Sequence, residues 1–283
     1  MATPFNTDGS LDLGGAAALA EHLVNAGCDG LVISGTTGES PTTTDAEKDR
    51  LLRAVLEAVG SRASVVAGAG TYDTRHTIEL AQQAEKAGAH GLLVVTPYYS
   101  RPTQEGLLQH FRAAADATAL PVMLYDIPPR SIVPIETETM LRLAEHDRIV
   151  AVKDATGDLF AASEKIARTE LAYYCGDDAL NLPFLAVGAV GMVSVVAHAA
   201  AAQYAAMVSA AEAGAMNTAQ ALHRQLIPVV RAMMTRAPGA TMAKAVAELA
   251  GVISSRTMRS PMVAATDDEV DVLQADLTKA GLL

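Results

Sequence analysis

Ile149-Val-Ala-Val-Lys-Asp-Ala-Thr-Gly-Asp158 opens with four apolar residues, β-branched ones among them, and breaks into a polar turn that contains a glycine. Such a run fits a strand buried on both faces, as in a parallel sheet covered by helices. Lys153 stands where the strand gives way to the turn. An ordinary lysine titrates near about 10.4, so its free amine is scarce at neutral pH. Burial disfavours the charged form, which turns such a side chain into a nucleophile able to form an imine with a carbonyl. Lys153 is therefore the candidate covalent centre. The plainer alternative is a lysine that snorkels or pairs at a strand end.

Outward from this stretch, short apolar runs alternate with helix-period stretches. Toward the amino terminus the expected strands are Gly30–Ser34, Ser64–Gly68, Leu92–Val95 and Pro121–Tyr125. They are separated by helices over Leu11–Ala26, Thr44–Gly60, Asp73–Ala87, Gln104–Ala117 and Glu136–Glu145, with Thr44-Asp-Ala-Glu47 at capping-box spacing. Toward the carboxyl terminus come a helix over Leu159–Ala167 and strands at Leu171–Tyr174 and Gly191–Val196. With Ala2-Thr-Pro-Phe5 counted as a first strand, eight βα units fit into the first 198 residues. That count predicts an α/β fold of the (β/α)8 barrel type rather than an open doubly wound sheet, and no Gly-x-Gly-x-x-Gly fingerprint follows the early strands. From residue 199 to 283 the pattern is helical only, over Gln203–Ala213, Thr218–Arg236, Met242–Ala250 and Asp267–Ala280. No Pro, Gly or Ser-rich linker precedes it, so a helical extension packed on the barrel is expected.

Composition narrows the function classes. With 283 residues, half of them apolar, the chain can bury a large core. A formal charge of −11 and the absence of a basic cluster argue against nucleic acid as a partner. The segment Ala179–Ala211 carries no charged residue, but Pro183, Gly188, Gly191 and the valines that follow read as buried helix, turn, strand and helix rather than as a membrane span. The opening Met-Ala-Thr-Pro-Phe-Asn-Thr-Asp does not resemble a signal peptide. Two cysteines, Cys28 and Cys175, make no disulfide framework and suit a reducing cytoplasm. His22, His76, His90, His110, His146, His198 and His223 show no metal-ligand spacing.

In a barrel of this kind the loops that follow the strands converge on one face and hold the site. The polar residues fall there: Thr36 and Thr37, Tyr98 and Tyr99, Tyr125 and Arg130, Lys153 and Thr156, then Gly176, Asp177 and Asp178. An amine nucleophile, proton-passing hydroxyls, main-chain donors in a tight turn and an arginine fork suit keto-acid chemistry. Each has a plainer alternative. The Gly35–Ser40 turn could cap a helix, Pro128 and Pro129 could shape a loop that leaves Arg130 solvated, Tyr98 and Tyr99 could pack at an interface, and Asp177 and Asp178 could cap.

Taken in order, Gly35-Thr-Thr-Gly-Glu-Ser40, Thr96-Pro-Tyr-Tyr99, Leu124-Tyr-Asp-Ile-Pro128 with Arg130, Val152-Lys-Asp-Ala-Thr-Gly157, Gly176-Asp-Asp178 and the closing Arg259-Ser-Pro-Met262 and Lys279-Ala-Gly-Leu-Leu283 resemble the dihydrodipicolinate synthase family of pyruvate-dependent class I aldolases. The resemblance implies that Lys153 forms a Schiff base with pyruvate, whose enamine attacks L-aspartate 4-semialdehyde to give 4-hydroxy-tetrahydrodipicolinate on the route to diaminopimelate and lysine. It implies Tyr125 as acid/base beside the imine, and Thr36 as the link to Tyr99, which the family takes from a neighbouring subunit. Thr37 and its amide would hold the pyruvate carboxylate and Arg130 that of the semialdehyde, with the carbonyls of Gly176 and Val193 lining the pocket. A cytoplasmic homotetramer built as a dimer of dimers is implied, with no metal or organic cofactor. The family usually carries several apolar residues before the equivalent of Ala2-Thr-Pro-Phe5, so the first strand is expected to be clipped. Of the positions that bind inhibitory lysine in sensitive members, Ser40 and Tyr98 are kept while Asp45, Lys48, Tyr72 and His76 differ, so weak or absent lysine inhibition is expected. The nearest rivals are N-acetylneuraminate lyase and 2-keto-3-deoxy sugar acid aldolases, which resemble this chain but, for the neuraminate lyases, lack an arginine at position 130. A barrel that only senses keto acids is a rival of another class, against which the presence of both Lys153 and Tyr125 argues.

Overall fold

The protein is described by a computed structural model over residues 1–282; Leu283, the last residue of the closing run, lies outside the described residues. Alternation dominates the first two thirds: α1 (Leu13–Asn25), β1 (Gly30–Ile33), α2 (Asp45–Val59), β2 (Ser64–Gly68), α3 (Thr74–Ala87), β3 (Gly91–Val95), α4 (Gln104–Asp116), β4 (Val122–Asp126), α5 (Pro128–Ser131), α6 (Thr137–Ala144), β5 (Ile149–Asp154), α7 (Leu159–Arg168), β6 (Ala172–Cys175), α8 (Asn181–Ala186) and β7 (Gly191–Met192). Four helices follow: α9 (Ala197–Glu212), α10 (Met216–Met234), α11 (Gly239–Leu249) and α12 (Asp267–Lys279). The strands neighbour one another in chain order, and the pairings from β2 to β7 are all parallel. That singly wound order is the one a (β/α)8 barrel requires, whereas a doubly wound sheet reverses its order at a switch point.

Local chemistry sets the helix boundaries. Thr44 and Glu47 close a reciprocal capping box on α2, and Thr266 and Glu269 do the same on α12. Asp12, Asp73, Thr103 and Asp158 each accept a backbone N–H at the start of α1, α3, α4 and α7. Gly88 ends α3 at φ 90°, where a side chain would be strained.

Two expected strands are corrected. Ala2–Phe5 is buried, and the Met1 ammonium donates to Val32 O at 2.7 Å, but the segment forms only an isolated antiparallel bridge from Phe5 to Leu11. Pro4 has no N–H for a ladder, and its carbonyl instead accepts the N–H of Asp12. The strand expected over Gly191–Val196 is cut to Gly191–Met192, because Ser194 Oγ accepts the N–H of Ala197 and Val196 already has helical backbone angles. β-branched composition alone had suggested a longer strand.

Contacts group the chain into two compact units, one made of Met1–Val65 with the residues from Ser194 onward, the other of Val66–Val193. In the first, α1 packs on α2 and α9, and α10 packs on α9 and α12. In the second, β3 to β6 form the centre, with Leu92, Val94, Leu124 and Val152 inaccessible to water. β5 is buried along its length except at Val150.

Candidate active site

Two adjacent register positions of β4, β5 and β6 organise the second unit. Lys153 pairs with Tyr125 on one side and Tyr174 on the other, and the next position aligns Asp126, Asp154 and Cys175. Because side chains alternate across a strand, Lys153 and Tyr125 face one side of the sheet while Asp126 and Asp154 face the other.

Lys153 is largely buried. It is 8 % exposed, and its Nζ lies 4.1 Å from the centroid of the Tyr125 ring. Gly176 donates its N–H to Asp154 O at 2.7 Å and lets β6 pass close to the lysine stem. A Cβ at Gly176 would sit 3.0 Å from both Cγ and Cε of Lys153. Val193 donates its N–H to Cys175 O, which fixes the backbone beside the same register. The second unit thus brings Lys153, Tyr125 and Gly176 together.

Other expected residues lie in the turns. Pro128 and Pro129 open α5, a single helical turn, and Arg130 on it is exposed. Tyr98 is half-buried, its ring edge-on to Tyr72 at 5.3 Å. Tyr99 has φ 70°, an unfavourable backbone for a residue with a side chain, and is 89 % exposed. In the first unit, Thr36 is exposed and Thr37 partly so, within a turn tied by Gly38 N–H to Gly35 O and Glu39 N–H to Thr36 O. That turn does not cap α2, whose cap is Thr44. Asp177 does cap, accepting the N–H of Ala179, and Asp178 accepts from the Asn181 amide.

Behind the lysine lies a group that sequence reasoning missed. Asp126 has no exposed surface, and its Oδ2 accepts the Ile135 N–H at 3.1 Å and lies 3.7 Å from Lys165 Nζ. Lys165 also donates to Ile135 O at 2.8 Å. Asp154 Oδ1 accepts from both the N–H and the hydroxyl of Thr156. Asp126 Oδ1 and the Tyr173 hydroxyl are buried with no hydrogen-bond partner. Lys165 pairs with Asp126, and its charge also acts on the buried Asp154, whose partner by hydrogen bond is Thr156. Burial, against the pull of Lys165 and with the help of Asp154, pushes Asp126 up to about 7. The detectable signal was an Asp directly after the candidate residue in each of two neighbouring strands.

A pH dependence follows. Between the ordinary carboxylate value and about 7, the native state keeps the Asp126 proton that the unfolded chain has lost. The Asp126 contribution to stability therefore falls as pH climbs through that window, by an amount on the order of a few kcal/mol, and is flat above it. His110 and His198, pushed down to about 4 and about 3 by burial, act in the opposite sense below their ordinary values. The measurement is therefore a difference: urea midpoints of the native protein and of Asp126→Asn from pH 5 to 8. The native protein should lose ground to the variant as pH rises toward 7, and a constant gap would refute the assignment.

Both histidines are core residues. His198 Nε2 accepts the Ala2 N–H, leaving Nδ1 to donate to Val195 O, and His110 Nδ1 is 2.9 Å from Thr74 Oγ1. Among the described residues no cluster of three or more His, Cys, Asp or Glu could hold a metal, and no helix is long and apolar enough to cross a membrane.

Comparison with known proteins agrees with this geometry. The model of the dihydrodipicolinate synthetase family matches residues 1–280. A 4-hydroxy-tetrahydrodipicolinate synthase of Kineococcus radiotolerans is 64 % identical over 100 % of this chain and 92 % of its own. Among solved structures, dihydrodipicolinate synthase DapA-2 of Bacillus anthracis shares 41 % identity and superposes with a TM-score of 0.94, covering 98 % of this chain and 95 % of that one. The chloride-inhibited dihydrodipicolinate synthase of Acinetobacter baumannii, complexed with pyruvate, shares 32 % identity with a TM-score of 0.95 over 100 % of this chain and 97 % of that one. The alternating parallel architecture, the buried lysine beside a tyrosine and these full-length likenesses together show that the chain belongs to the dihydrodipicolinate synthetase family, enzymes that make 4-hydroxy-tetrahydrodipicolinate for lysine biosynthesis.

Proposed function

We propose that Lys153 is the covalent centre of this synthase and that it works through a pyruvate imine. The observation that carries the reading is the placement of a nearly solvent-free amine 4.1 Å from the Tyr125 ring. The amine attacks the keto carbon, a C–N bond forms, and the carbonyl oxygen leaves as water after taking up protons. Tyr125 is the residue placed to pass them. Loss of a methyl proton then gives an enamine whose carbon attacks the aldehyde of L-aspartate 4-semialdehyde. Thr36 joins Tyr125 to Tyr99, Thr37 receives the pyruvate carboxylate, and the exposed Arg130 offers its fork to the second carboxylate. The carbonyls of Gly176 and Val193 line the pocket.

Support for a second copy comes from Tyr99, which is held at positive φ and exposed, and from the exposed ring of Tyr72. A Tyr99 donated to a neighbour explains both its exposure and its strain. We take the assembly to be a cytoplasmic homotetramer built as a dimer of dimers. The testing experiment is borohydride reduction in the presence of pyruvate, followed by peptide mass mapping. A stable adduct on the Lys153 peptide, with turnover of the semialdehyde, is expected. Cleavage of sialic acid or a keto-sugar acid with no semialdehyde turnover would favour a lyase instead.

Lysine is expected to inhibit weakly or not at all. Lys48, which donates to Thr43 O at 2.5 Å, adds a like charge next to the amine of a lysine ligand. Calorimetric titration with lysine should show no micromolar binding.

A further inference from the structure

The first unit holds an internal ion pair that the reaction does not use directly. Lys244, on α11, has no exposed surface, and its Nζ lies 2.5 Å from Glu39 Oε1, whose side chain is also buried. The same ammonium donates to Thr257 O at 2.7 Å and stands 4.0 Å from the Phe5 ring centroid. Glu39 Oε2 accepts the backbone N–H of Arg259 at 3.0 Å. Arg259 in turn forks onto Glu47 at 2.6 and 2.8 Å, donates to the carbonyls of Gly9 and Thr42, and lies 4.2 Å from the Phe5 ring. Residues far apart in sequence thus converge on one glutamate.

The backbone of that glutamate is strained. Glu39 has φ 53° and ψ 38°, a left-handed conformation that brings the Cβ of any residue with a side chain too close to the following carbonyl oxygen. Such strain persists only where the surroundings over-determine it. Here both carboxylate oxygens are engaged, Glu39 N–H donates to Thr36 O at 3.2 Å, and Glu39 O accepts from the N–H and hydroxyl of Thr42. The main chain of the Thr36–Thr37 turn is therefore hung from a carboxylate that Lys244 and Arg259 hold. A buried ion pair is weak evidence for stability, since well-packed apolar residues often serve as well. What it supplies is direction and distance.

We propose that Glu39 and Lys244 are positioning residues that set the geometry of the Thr36–Thr37 turn for capture of the keto-acid carboxylate. This rests on the reading of that turn as the carboxylate site. The pair touches no substrate and acts through the Glu39 backbone.

The test removes both charges together, so that neither is left buried alone. In Glu39→Gln/Lys244→Met, the thermal midpoint should stay near that of the native protein. KM for pyruvate should rise on the order of tenfold to a hundredfold, the scale of a misplacement of about 1 Å. KM for the semialdehyde and kcat at saturating pyruvate should change little. Native pyruvate KM in the folded double variant overturns the proposal. Thr37→Val is measured in parallel. If it alone leaves pyruvate KM unchanged, the reading of the turn fails and the positioning role falls with it. If Thr37→Val is impaired while the double variant is native, only the positioning role fails. Should the double variant not fold, Lys244→Arg keeps the charge but alters its shape and reach. A severalfold rise in pyruvate KM is then expected, and a native value overturns the proposal.

Discussion

Lys153→Arg should leave the fold intact and lose pyruvate trapping entirely, with kcat/KM reduced on the order of 10⁴-fold or more. Arginine keeps much of the stem, but its guanidinium stays protonated and offers no amine lone pair. The residue it replaces is 8 % exposed and lies over the Tyr125 ring, a place that a guanidinium can also occupy. The loss therefore reports nucleophilicity rather than packing. Tyr125→Phe is the companion measurement. It retains the ring against Lys153 and removes the hydroxyl, so trapping should persist at a reduced rate, with turnover down about 10²–10³-fold. Residual turnover of Lys153→Arg at the level of Tyr125→Phe would mean that the covalent step is not on the path.

Gly70→Ala should produce the largest loss of stability among glycine-to-alanine changes in the described residues. A Cβ at Gly70 would stand 2.3 Å from Val95 N, 3.0 Å from Val95 Cγ1 and 3.1 Å from Val94 C. Two of these three atoms are main chain of β3, paired in register to β4 at Val94 and Val95, so they cannot step aside as a flexible side chain does. Relief requires separating the end of β2 from β3, which also strains the Ala69 N–H to Leu93 O bond of 3.0 Å. The expected cost is about 3 kcal/mol, at the upper end for overpacking. Urea unfolding of the variant beside Gly157→Ala checks it. Gly157 has φ 79° but nothing within 4 Å of the added methyl, so it isolates backbone strain from collision. Equal losses at the two positions would sink the steric argument.

Lys153 stood out before any coordinates because a charge at the end of an apolar run breaks a pattern, and the strand containing it formed as expected at Ile149–Asp154. Thr44 with Glu47 likewise marked the start of α2 at the correct residue, since a capping box is complete within four residues. Gly70 carried no such mark. Its partner atoms lie on the next strand, after an intervening helix, and a close backbone approach leaves no trace in local composition.

The failures at Ala2–Phe5 and Gly191–Val196 have the same origin. The βα count suggested a first strand at Ala2–Phe5 and valine content a ladder at Gly191–Val196, but Pro4 lacks a donor and Ser194 diverts the next turn into a helix. Asp126, Asp154 and Lys165 were passed over because each alone reads as an ordinary charged residue. Lys244 could have been noticed as a lone charge in Met242-Ala-Lys-Ala-Val-Ala247, yet its partner Glu39 lies 205 residues earlier.

By itself, then, the order of residues determined the alternating α/β class and most helix starts, and it singled out Lys153 and Tyr125, which the fold sets side by side on neighbouring strands. Those depend on periodicity, caps and motifs, which act over a few neighbours along the chain. Only the tertiary structure decided which strands the ends of the sheet complete, which carboxylate pairs with Lys165, and how a distant lysine holds the Glu39 turn. Those depend on burial, where a charge or a backbone atom is set by whatever the fold brings within about 3–4 Å of it.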